Sequence, residues 1–181
     1  SGGEISTLAE IEASHDGTAD DEKGDLIFRT NDGSDGASPT EAARIDSAQN
    51  LLVGATAVGV GTSSSDTGIV ARGSIGFLEA ARDGGNPVRL NRQTSDGSIM
   101  DFAKDGTTVG SIAASGGDMI VGTGTSRVAF YDATPAILPS SSDTFGASDG
   151  AIDLGNDGRR FKDLYLSGGA YIGGTTSANF L

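Results

Sequence analysis

Ser98-Ile99-Met100-Asp101-Phe102, then Asp105-Gly106, then Thr108-Val109-Gly110-Ser111-Ile112: this stretch decides the fold class. Apolar and polar residues alternate in both flanks, the period-2 signature of strands with one covered face. Asp-Gly between them supplies the positive φ angles of a tight hairpin turn. The same dipeptide occurs eight times, beginning at Asp16, Asp32, Asp35, Asp83, Asp96, Asp105, Asp149 and Asp157. Leu26-Ile27-Phe28-Arg29-Thr30 and Val88-Arg89-Leu90-Asn91-Arg92 read as further strands, and Leu78 through Asn91 and Phe102 to Ile112 as a meander. The nearest approach to a helical period is Ile5 to Ala13, where Ile5, Leu8, Ala9 and Glu12 spell one short helix. The chain reads as all-β.

Composition says how such strands are stabilised. Of 181 residues 29 are Gly, against about 7% in ordinary proteins, and only 38 are Leu, Ile, Val or Phe. The formal charge is −13. Self-repulsion of that size opposes compaction. The chain has no Cys, which excludes disulfide frameworks, thiolate zinc sites and cysteine nucleophiles. No apolar run nears the roughly 18 residues of a membrane span, and Ser1-Gly2-Gly3-Glu4 does not open a signal peptide. Twelve Lys and Arg against 25 Asp and Glu repel phosphate backbones, so no nucleic-acid partner is expected.

Three stretches share one plan, apolar residues flanking a small turn and ending on Gly: Arg44 to Gly54, Gly110 to Gly122, and Leu164 to Gly174. Each reads as a short hairpin. Gly61 to Asp66 and Pro135 to Ser148 read as breaks in regular structure. The resulting division is an N-terminal β module over 1–62, a central β-meander over 63–134, a Pro/Ser-rich linker over 135–148 and a C-terminal hairpin module over 149–181. Modules near 60 residues are marginal alone. A thin-cored β chain of this kind gains stability by sharing its interior with copies of itself. The expected architecture is an elongated, intertwined, parallel homotrimer around a shared axial core. Ile45, Val53, Ile112, Ile120, Leu166 and Ile172 are expected to face the axis. The simpler alternative is a monomeric β-sandwich with long loops.

Gly24-Asp25-Leu26-Ile27-Phe28-Arg29-Thr30, followed by Glu41-Ala42-Ala43-Arg44-Ile45-Asp46-Ser47-Ala48-Gln49-Asn50-Leu51-Leu52-Val53-Gly54, resembles a segment of bacteriophage tail fibre proteins. There a G-x-L/I-x-F-x-T strand precedes E-x-x-R-I-D-S-x-G-N, an apolar residue, and x-V/I-G. This chain departs from it with Gln49 where Gly is usual and Ala43 where Met is common. Leu90 to Ile112 resembles a second fibre module, and Ile152-Asp153-Leu154-Gly155 with Arg159 to Gly169 a third. The resemblance implies a homotrimeric shaft segment of a virion, extracellular, joined to other tail or baseplate proteins. It further implies contact with a host-surface receptor such as a glycan, and no active site.

The residues offer little chemistry against that reading. His15, the one histidine, lies beside Asp16, Asp20, Asp21, Glu22 and Asp25 without calcium-loop spacing, which reads as a solvated acidic loop. Ser115-Gly116-Gly117-Asp118 reads as a tight turn, because the calcium-binding nonapeptide does not recur. Gly59-Val60-Gly61 and Gly122-Thr123-Gly124 lack the Lys-Ser/Thr of a phosphate loop and mark close approaches of the chain. Gly73-Ser74-Ile75-Gly76 lacks the first Gly of a nucleophile elbow. Arg159-Arg160-Phe161-Lys162 reads as a pairing site for carboxylates of neighbouring chains. No catalytic, cofactor or metal residue is assigned. A structural, adhesive tail-fibre subunit is the expected function, with two alternatives. One is a bacterial surface fibre or adhesin module. The other is part of a capsule-degrading tailspike, which the absence of Trp and the scarcity of Tyr make a poor sugar-binding enzyme.

Overall fold

The computed structural model describes residues 6–17, 22–62, 66–146 and 148–170. Among them there is no helix. The chain divides into two compact units, Ser1–Arg89 and Leu90–Leu181.

Unit 1 is one antiparallel sheet of six strands in sequence order: β1 (Ala9–His15), β2 (Gly24–Thr30), β3 (Thr40–Ile45), β4 (Asn50–Val53), β5 (Gly68–Arg72) and β6 (Phe77–Ala81). Unit 2 is a five-stranded antiparallel meander: β7 (Gly97–Lys104), β8 (Thr107–Ser115), β9 (Asp118–Thr123), β10 (Ser126–Tyr131) and β11 (Ala136–Ser140).

Turn chemistry sets these registers. Asp105 and Gly106, at φ 51° and 78°, form the two-residue turn between β7 and β8. Gly116-Gly117 turns β8 into β9, as expected of a tight turn there. At the β3–β4 corner the Gln49 amide donates to the Asp46 carbonyl over 2.9 Å, and Gln49 itself sits at φ 64°. The four-residue β5–β6 corner likewise ends on a positive φ, Gly76 at 61°. A side chain in that left-handed region costs about 1–2 kcal/mol, whereas Gly enters it freely. Gln49→Gly is therefore expected to raise the unfolding free energy by up to about 1 kcal/mol, after the extra backbone entropy of Gly. A urea midpoint that rises at unchanged slope is the readout.

Several expectations change here. Of the stretch Ile5 to Ala13, Ala9 to Ala13 belong to strand β1 and not to a helix, and Ile5 lies outside the described residues. Ala9, Ile11 and Ala13 alternate with Glu10, Glu12 and Ser14, and pairing with β2 along its whole length overrides local helical spacing. Val88 to Arg92 is irregular, because it follows Pro87 and the positive-φ pair Gly84-Gly85 at the junction of the two units. The break expected near residue 62 falls inside one sheet, since β4 pairs β5. The expected linker 135–148 contains β11. Its Pro139 is tolerated because β11 is an edge strand, where a missing N–H breaks no ladder. The expected C-terminal hairpin is not formed over 149–170, where the Asn156–Arg159 bridge is the one piece of β pairing among the described residues.

Within one copy the cores are small. Leu52, Val60 and Val70 make the first, and Ala113, Ile120 and Ala129 the second. Each lies on one face of its sheet under a loop of the same unit. Val60, from the loop after β4, packs on unit 1, and Phe145, after β11, packs on unit 2.

Candidate functional site

Sheet pairing places alternate residues on opposite faces. In unit 1 one face joins the small core of Leu52 and Val70 to a set of ion pairs on the same side of the sheet. Arg29 bonds Glu12 through Nε and Nη2, at 3.1 and 3.0 Å. Arg44 grips Glu41 side-on, at 2.6 and 2.5 Å, and reaches Asp25 with Nη1 at 2.8 Å. Asp25 also accepts the Ser47 amide at 2.9 Å, and the Ser47 hydroxyl donates to Asp16 over 2.5 Å. Asp46 accepts the amides of Ala48 and Asn50 and the side-chain amide of Asn50.

Thus the polar residues of the fibre-like motif, Asp25, Glu41, Arg44, Asp46, Ser47 and Asn50, hold one hairpin corner in place. Asp25 belongs to this buried network, not to the solvated acidic loop expected around His15. Asp20 and Asp21 lie outside the described residues. Farther along, Glu79 accepts both Arg72 nitrogens and the Gly59 amide, which draws the loop carrying Val60 onto the sheet.

Hydrogen bonds and charge from Arg44 hold the Glu41 carboxyl below its ordinary value of 4.5, against the opposing effect of burial. A folded value below the unfolded one adds stability that is fully present above about pH 4.5. That stability is lost as pH falls through the folded value. Glu41→Gln is therefore expected to flatten the fall in urea midpoint between about pH 5.5 and pH 3. Parallel pH profiles for variant and parent would remove Glu41 from the acid response.

The other face of unit 1 carries two wholly apolar rows across the sheet, bordered by Thr30 and Thr40 on one side and by His15 on the other. One row runs Ile11, Phe28, Ala43, Val53, Ile69, Ala80, each paired to the next. The second runs Ala13, Leu26, Ile45, Leu51, Ala71, Leu78. None of it is covered: Ile45 is 41%, Val53 44% and Ile69 47% exposed.

Unit 2 repeats the design. Its closed face carries Arg127, which bonds the Ser111 hydroxyl at 2.8 Å and pairs with Asp143 at 2.5 Å. Asp143 also accepts the hydroxyls of Ser98 and Ser111, and so anchors the loop that brings Phe145 onto the sheet. The open face shows Met100, Ile112, Val121, Val128 and Pro139 in one row, with Ala114, Met119, Phe130 and Ile137 beside them. Phe130 is 44% exposed.

The residues expected at an axis are distributed as follows. Ile45 and Val53 lie on the open face of unit 1, and Ile112 on that of unit 2. Ile120 does not join them. One residue of shift from Val121 turns it to the closed face, where it is 0% exposed between Ala113 and Ala129. Leu166 is exposed in the irregular segment, with Leu154, Phe161, Leu164 and Tyr165. Ile172 lies outside the described residues. Leu51, Ile69, Phe28 and Phe130 were not singled out from sequence, because each stands beside an equally apolar neighbour, Leu52, Val70, Ile27 and Ala129, and alternation does not separate the two faces there.

Soluble monomers rarely expose contiguous apolar patches beyond a few hundred Å². Fully burying a Val, Leu, Ile or Phe side chain contributes about 1.5–3 kcal/mol, so covering these half-exposed ones adds about 1 kcal/mol each. Among the described residues no group of three His, Cys, Asp or Glu is placed to hold a metal ion. Among the described residues these two faces are the broadest uncovered apolar surfaces. Compared with family models, with curated proteins and with solved structures, the chain matches none.

Proposed function

We propose that the chain is a non-catalytic, structural and adhesive subunit of a phage tail fibre, assembled as a parallel homotrimer around a shared axial core. One observation carries the reading: each sheet closes one face with its own loop and leaves apolar rows uncovered across the other. A copy with so few buried apolar side chains offsets the ordering of its backbone, which costs about 1–2 kcal/mol per residue, only by a thin margin. Three copies around an axis close those faces at no further cost in sequence, and homo-oligomers default to such cyclic symmetry.

Function follows from rigidity. A rod of this kind holds a distal receptor-binding element at a fixed reach from the virion, joined to tail or baseplate proteins. It presents every surface patch three times, so weak contacts with a host-surface receptor gain avidity. The fibre-like motif supports the viral reading over a bacterial adhesin or a tailspike. Its Glu41, Arg44, Asp46, Ser47 and Asn50 are all occupied in holding a corner, which leaves none of them for catalysis.

Sedimentation equilibrium of the purified chain is expected to return three times the 18.1 kDa of one copy, with elongated particles in electron micrographs. A compact, cooperatively melting monomer would sink the assembly reading. For the viral role, antibodies against the chain are expected to decorate fibres projecting from phage particles. Release of reducing sugar from host polysaccharide by the purified chain would overturn the non-catalytic assignment.

A further inference from the structure

We infer that each sheet carries its own self-association surface and that like meets like. The open face of unit 1 packs on the same face of further copies, and the open face of unit 2 on its own counterpart. This rests on the self-assembly reading above and adds where the contacts fall and how they pair.

Four observations single out a second copy as the occupant. First, Arg72–Glu79–Gly59 in unit 1 and Arg127–Asp143–Ser111 in unit 2 tie a loop over the opposite face, so each sheet has one surface left to cover. Second, the rows through Val53 and Val128 carry no charged side chain, in a chain whose formal charge is −13. Copies of such a chain repel one another everywhere except at uncharged surfaces. A partner of other chemistry would need selecting groups on the face, and the paired rows contain none.

Third, the large side chains of both faces stand open, Ile69 at 47% and Val53 at 44% in unit 1, Met119 at 47% and Phe130 at 44% in unit 2, more uncovered apolar surface than a monomer ordinarily carries. Fourth, one edge of each sheet is guarded. Glu10 and Glu12 stand on edge strand β1 and Pro139 on edge strand β11, which favours packing by faces over edge-to-edge pairing.

Like-with-like pairing follows from symmetry and volume. Rotation about an axis brings equivalent residues of parallel copies to the same level. The unit 1 face is built of Ala, Val, Leu and Ile with one Phe, while the unit 2 face adds Met100, Met119, Phe102 and Phe130. Mixed pairing would set two faces of different side-chain composition against each other with no rotation axis to match them.

The chain has no Cys, so one introduced thiol reports one place. Val53→Cys marks the unit 1 face, Val128→Cys the unit 2 face, and Ala48→Cys an exposed turn as control. The full-length variants are treated at low concentration with a short bismaleimide crosslinker. Val53→Cys and Val128→Cys should each give linked pairs of chains, and Ala48→Cys none. When the Val53→Cys and Val128→Cys chains are unfolded and reassembled together, links should join only identical positions.

Links between position 53 of one chain and position 128 of another would overturn like-with-like pairing. A link within one chain of the doubly substituted protein would do the same. Particles of trimer mass with no link at either position overturn the placement while leaving self-assembly standing. Monomer mass overturns both.

Discussion

Val53→Asp is expected to release single copies from the assembly while leaving the sheet of each copy folded. Val53 sits mid-row on the open face of unit 1, between Ala43 and Ile69. In a single copy it is 44% exposed, so an aspartate there keeps its water. The loss is then confined to strand preference, a scale that spans about 1 kcal/mol. In the assembly the same carboxylate would be desolvated against apolar rows, at a cost of several kcal/mol per ion, with like charges meeting near the axis. A loss of about 4 kcal/mol per copy weakens association roughly a thousandfold for each copy that joins. Sedimentation velocity should show the mass of one chain, with the far-UV circular dichroism of a sheet retained. Unchanged mass at micromolar concentration would mean that this face is not buried between copies.

The second large effect is expected at Gly122, inside β9 and opposite Arg127. A Cβ placed there would stand 2.5 Å from the Ser126 carbonyl oxygen and 2.6 Å from the Arg127 Cα. Both are backbone atoms, so no side-chain rotation relieves the overlap. Gly122→Ala must push β10 away from β9. With β10 goes Arg127, and with it the pair to Asp143 and the bond to Ser111 that hold the covering loop. Ile120 and Ala129 would then lose their cover. Several of the mechanisms behind exceptional destabilisation act together here, and a loss above about 4 kcal/mol is expected. Gly168→Ala is the matched control, because a Cβ there meets nothing within 4 Å and its φ is not positive. Thermal melts of the two variants should differ by many degrees. Equal melting would show that the β9–β10 approach is looser than its geometry implies.

The β architecture was legible in local sequence because its signals are local. Alternation and Asp-Gly turns act over two to ten residues, and the β7–β8 hairpin follows them directly. The weight of the fibre-like motif was legible too, but not its reason. That Asp25 belongs with Arg44 and Ser47 depends on the lateral pairing of β2 with β3. Gln49 stood out as an exception to the motif, and its φ of 64° supplies the cause. Where sequence reading missed, partners in space decided. Ile5 to Ala13 carries a helical spacing that pairing with β2 overrules from Ala9 onward, and Pro139 breaks a strand only where that strand has two neighbours.

From its residues alone this chain was bound to be a Gly-rich, acidic, all-β protein with too little apolar material for a large private interior. Composition and period-2 patterning are additive along the chain, so no fold is needed to count them. Which half of each alternation would be covered by the chain itself was a tertiary decision. Val121 and Ile120 are equally apolar neighbours, yet the loop anchored by Asp143 lies over one and leaves the other bare. A strand presents two faces of equal local merit, and only the path of distant segments breaks that tie.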